Sequence, residues 1–225
     1  YWLYEQAEKQ VKQIILDQAQ LKADVGSNAQ KIGDLYNSFM DEEFIQAQGL
    51  SPIAADLKAA QSFKSLDEFL TLLGELEARG LSGLFYTYVS TDNKDSTKNI
   101  VYLGQSGLSL PDEAYYREDE YQEVRESFLA HIQKMFELAK LENPAQSAQA
   151  VLKIETKIAS FHWDQVKDRD AELTYNKMDF DQLIKLAPTF NWPLWISASN
   201  TPAAVLDQVI VRQPSYFEGL SKLMA

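Results

Sequence analysis

From its first turn the chain repeats apolar residues at three- and four-residue steps, the spacing that lays them along one face of an α-helix. Leu3, Ala7, Val11, Ile14 and Ile15 form the first such run, and a left-handed residue at Gly26 is expected to close it. A second run, Ile32, Leu35, Tyr36, Phe39 and Met40, follows a capping Asn28 and stops before Gly49. Ser51 with Pro52 opens a short third helix, because proline lacks only the donor that a first helical position would waste. Ser65 and Glu68 have the spacing of a reciprocal capping box, and a fourth helix runs from them through Leu66, Phe69, Leu70, Leu73 and Leu76 to Gly80. Four helices within residues 1–80 commit the fold to a mainly α class.

The pattern then changes. GLFYTYVS and NIVYL, rich in β-branched and aromatic residues, flank the turn cluster TDNKDST, so residues 83–103 read as a β-hairpin that must lie on helices or join other strands. Helical spacing returns at Val124, Phe128, Ile132, Met135 and Phe136. Asn143 and Pro144 start a further helix through Val151, Ile154 and Ile158. DQVKDRDAELTYNKM reads as a polar loop, Asp179 and Gln182 as the cap of a short helix, and the prolines and tryptophans between Pro188 and Pro214 as irregular chain. The expected architecture is a multi-helix domain over residues 1–225 with one small hairpin.

A 45% hydrophobic fraction fills a core, while 33 acidic against 21 basic residues give a net charge of -12. That charge repels phosphate backbones and anionic lipid, so nucleic acid and membrane surfaces are not expected partners. No apolar run approaches the roughly 18 residues of a membrane span. The absence of cysteine removes disulfides and thiolate ligands, and fits a cytoplasmic or an exported bacterial protein, the cytoplasm being favoured. Both ends carry helical spacing without a start or stop signal, as expected of a piece of a longer polypeptide.

Catalytic constellations are missing. His131 and His162 do not form an H-E-x-x-H pair; His131 is expected to border the core and His162 to pack on aromatics, the alternative being a zinc site of His162 with Glu155, Asp164 and Asp168. Asp92, Asn93 and Asp95 lack the glycine and terminal glutamate of a calcium loop. Asp41 to Glu43 and Glu118 to Glu120 are helix starts or solvated faces. There is no G-x-S-x-G elbow and no thiol nucleophile.

The stretch GQSGLSLPDEAYYRE, residues 104–118, lacks the lysine and hydroxyl of a phosphate loop, and Asp112 and Glu113 would repel phosphate. It suits a connector, in which Gly104 and Gly107 turn the chain, Pro111 starts a helical turn, and Tyr115 and Tyr116 anchor it. The pattern Gly107-Leu108-x-Leu110-Pro111-x-x-x-Tyr115-Tyr116 after a hairpin resembles the N-terminal region of the neprilysin-like M13 zinc metallopeptidases. QKIGDLYNSFMDEE, VSTDNKDSTKNIVYL and VRQPSYFEGLSKLM agree in the same order. So does the segment that holds Arg169, Asp170, Tyr175, Asn176 and Met178.

The resemblance implies a helical cap that encloses the cleft of a thermolysin-like catalytic domain and restricts entry to peptides and small proteins. It implies that the zinc, its H-E-x-x-H ligands and the catalytic domain of the same polypeptide lie beyond residue 225, so that the fragment alone neither binds zinc nor cleaves peptides. Animal extracellular members carry cysteines at positions corresponding to Phe39 and Glu118, and their loss here fits a bacterial homologue. The competing expectation is a non-catalytic acidic helical module that binds basic peptides or serves as a scaffold.

Overall fold

The computed structural model describes residues 1–81 and 83–225, which fall into two compact units, Tyr1–Leu57 and Lys58–Ala225. The first unit holds helices α1 (Trp2–Gln20), α2 (Asn28–Met40) and α3 (Glu42–Gln48), and α4 (Ala54–Ser62) runs across the boundary. α1 ends at Gln20 and not at Gly26, because Leu21 turns extended; Gly26, at φ +82°, closes the turn into α2. The cap of α2 is Ser27, one residue before Asn28, and its hydroxyl accepts from the Gln30 amide at 3.1 Å. Asp41 caps α3 in the same way.

In the second unit Ser65 caps α5 (Leu66–Ala78), but Glu68 reaches past the cap to the Lys64 amide, so the expected reciprocal box is displaced by one residue. The hairpin follows as β1 (Phe85–Asp92) and β2 (Asp95–Gln105). Then come α6 (Ala114–Arg117), α7 (Gln122–Leu138), α8 (Pro144–Ala159) and α9 (Gln165–Asp168). β3 (Asn176–Asp179), α10 (Phe180–Leu186), α11 (Trp192–Ala198), β4 (Gln208–Val211) and α12 (Pro214–Leu223) complete the chain.

The hairpin is not alone. Among the described residues it is half of a four-stranded sheet of order β1-β2-β4-β3, in which β4 runs parallel to β2 and β3 antiparallel to β4. Both added strands come from segments whose sequence reads as loop or irregular chain. They are four residues long, too short for a periodic signal, and their ladder partners are distant in sequence. Val101 and Leu103 face the main core with Val209 and Val211, while Ile100, Tyr102 and Ile210 form a second cluster on the opposite face. Phe85, Phe190, Trp192, Trp195 and Phe217 meet edge to face or tilted at centroid distances of 4.4 to 6.4 Å, giving the core an aromatic centre. The helical spacing from Val124 to Phe136 forms α7, in which Ile132 is buried; the correction is His131, which is exposed and does not border the core.

Candidate functional site

The connector between β2 and α6 is tied down at every turn. Gly107 sits at φ +85°, where a side chain would strain the backbone, and Leu108 packs on the main core. Glu155, from the middle of α8, gathers the rest. Its carboxylate accepts from the Ser109 amide at 3.2 Å, the Ser109 hydroxyl at 2.7 Å and the Tyr116 hydroxyl at 2.6 Å. The Leu110 amide donates to the Tyr116 oxygen at 2.9 Å, so the phenol both gives and receives. Burial, with the glutamate beside it, pushes the Tyr116 phenol above its ordinary value and keeps it a donor. Pro111 is exposed, and Tyr115 stacks on Tyr121 at 4.1 Å.

A second knot holds the strand exit. Tyr216 donates to the carbonyls of Leu84 and Ser106, and the His162 Nε2–H donates to Ser106 at 3.0 Å while its ring meets Tyr216 edge on. Burial lowers the His162 pKa, so the imidazole is neutral at neutral pH. Gln105 and Trp163 exchange two hydrogen bonds, and Gln213 accepts from the Gln105 amide and donates to Asp168. Arg212 pairs with Asp168 at 3.2 Å. Beside these knots lies a cleft of about 280 Å³, walled in part by Tyr86, Asp112, Glu113, Trp163 and Asp168. Its three carboxylates are already engaged: Asp112 by the Ala114 amide and Gln165, Glu113 by Arg117, and Asp168 by Arg212.

The second motif segment goes elsewhere. Asp170 nucleates a turn by accepting from the amides of Glu172 and Leu173, and Arg169 is exposed. Asn176 bonds back to the Leu173 carbonyl and begins β3, and Met178 packs on the core. The Tyr175 hydroxyl and the Lys177 ammonium both bond Asp92, which is 2% exposed, at 2.8 and 2.9 Å. The bond from Lys177, followed by one from the Lys94 amide and then that from Tyr175, holds the Asp92 pKa down at about 2. Residues 107–116 therefore converge on Glu155, residues 175–177 converge on Asp92, and the two groups form no common constellation. The sequence shows both acids, but nothing local marks them as hubs.

Residues 1–225 match the N-terminal model of peptidase family M13. The chain belongs to that family. Two structures of Mycobacterium tuberculosis zinc metalloprotease Zmp1, one with an inhibitor and one in an open state, are 39% identical over 99% of this chain. Their TM-scores are 0.91 and 0.90, and the match covers 34% and 35% of those chains. Guinea-pig endothelin-converting enzyme 1 is 34% identical over 152 residues, 64% of this chain and 20% of that protein. PepO from Lactobacillus rhamnosis shares the fold at a TM-score of 0.78 and 19% identity, over 97% of this chain and 35% of its own. This M13 chain thus spans about a fifth of the length of the curated relatives it matches.

Among the described residues no group of three or more His, Cys, Asp or Glu side chains is placed to hold a metal ion. His162 is committed to Ser106, and Glu155 to Ser109 and Tyr116. No helix of the described residues is long and apolar enough to cross a membrane.

Proposed function

We propose that residues 1–225 form the N-terminal cap region of a zinc metalloendopeptidase that hydrolyses peptides and small proteins. The cap encloses the active-site cleft and limits the size of what enters. The zinc ligands belong to the catalytic domain of the same polypeptide, outside these residues. The observation that carries this reading is the likeness to the zinc metalloprotease Zmp1, 39% identical over 99% of the chain at a TM-score of 0.91.

Peptide hydrolysis tests it in two parts. The complete polypeptide is expected to cleave a short peptide in a chelator-sensitive way, and purified residues 1–225 are expected to leave it intact. The same peptide embedded in a folded protein is expected to resist cleavage. Chelator-sensitive hydrolysis by residues 1–225, or equal rates on the free and embedded peptide, overturns the assignment.

A further inference from the structure

The apolar stripe of α5 breaks its own rule once. Leu66, Leu70 and Leu73 pack in the main core, and the next position on that stripe is Glu77. Its Oε2 accepts a 2.7 Å hydrogen bond from Trp195 Nε1 on α11. Its Oε1 is buried and has no hydrogen-bond partner among the described residues. Gly83 closes over the carboxyl so tightly that a Cβ there would stand 1.9 Å from Oε1. One turn back, α5 and α11 meet backbone to backbone at Gly74, where a Cβ would lie 2.8 Å from Ala198 Cβ and 3.0 Å from the Ser199 amide.

We propose that Glu77 is a proton-operated latch between α5 and α11, shut while its carboxyl holds a proton and loosened when the carboxyl ionises. A neutral acid costs less at this site, because the single indole donor satisfies its accepting oxygen and the hydroxyl, although without an acceptor among the described residues, carries no net charge. An ionised carboxylate costs more, because it leaves a charged, buried oxygen without a donor among the described residues. Among the described residues the one group that opposes burial at Glu77 is the Trp195 indole. α11 and residues 83–85 contain no charged residue, and on α5 Glu68 and Glu75 are exposed while Asp67 is bonded by Asn191.

Burial accordingly raises the Glu77 pKa to about 7, opposed only by the bond from Trp195. The folded state holds this proton more tightly than the unfolded chain. Its contribution is therefore complete below the ordinary glutamate value and lost as pH climbs through about 7. Amide hydrogen exchange on the full chain reads the latch, with α8 as the internal reference for the intrinsic pH trend. Exchange in α5 and α11 relative to α8 is expected to rise about tenfold between about pH 6 and about pH 8.5. Glu77→Gln keeps an acceptor for Trp195 and never ionises, so it is expected to abolish that rise. A wild-type ratio that ignores pH overturns the latch, as does a Glu77→Gln protein that keeps the full rise. Should the variant fail to fold, the wild-type ratio decides alone.

Discussion

The two units of this chain solve the same problem with unequal means. In residues 1–57 only Gly33 is buried, and large apolar side chains stand open: Trp2 is 68% exposed, Leu35 72% and Phe39 75%. In residues 58–225 Phe85 is 2% exposed, Trp192 1% and Tyr216 0%. The difference is not in the presence of helical spacing, which both units show. α1 and α2 do pair closely, since a Cβ on Gly33 would stand 2.6 Å from the Gln18 carbonyl and Asn37 bonds the Ala19 carbonyl at 3.1 Å. Two helices nevertheless make a single layer, whereas the second unit stacks helices on a sheet and so closes its apolar faces. Amphipathic spacing makes helices; a second layer makes a dry core.

Three substitutions break or sharpen that contrast. Trp192→Ala empties the aromatic centre and is expected to cost about 3–5 kcal/mol, read as a lower denaturant midpoint for the second unit. Glu155→Ala removes the acceptor of the Ser109 and Tyr116 hydroxyls and is expected to cost about 2–3 kcal/mol, with faster amide exchange through residues 107–116. Leu35→Ser, on an open face of the first unit, is expected to change stability by less than about 0.5 kcal/mol in the same denaturation measurement. A cost at Leu35 equal to that at Trp192 would remove the distinction between the units.

Much of the helical layout is readable before folding. Asp179 and Gln182 form the full reciprocal cap, Ser65 caps α5, and Asn143 with Pro144 opens α8, although Asn143 does so from a left-handed backbone and not through its side chain. α11 lies in the stretch whose prolines and tryptophans read as irregular chain, yet it carries a start signal: Asn191 accepts from the Leu194 amide, and Pro193 sits in the first turn, where it costs no bond. β3 and β4 had no such signal. Val209, Ile210 and Val211 become a strand because β2 offers a parallel edge more than a hundred residues earlier in the chain. The motif residues from Gly107 to Tyr116 stand out in the sequence, but Glu155, which organises them, does not. Glu77 is visible only as an acid at a position where the helical period calls for an apolar residue.

The sequence by itself determined the mainly helical class, most helix starts, the hairpin and the likeness to the M13 family, because periodicity, caps and collinear motifs are local or linear properties. Only the tertiary structure decided which apolar faces become dry, where the hairpin finds its neighbouring strands, and which carboxylates become hubs. Those outcomes depend on groups far apart in the chain arriving within hydrogen-bonding or van der Waals distance, and no local pattern of residues encodes that meeting.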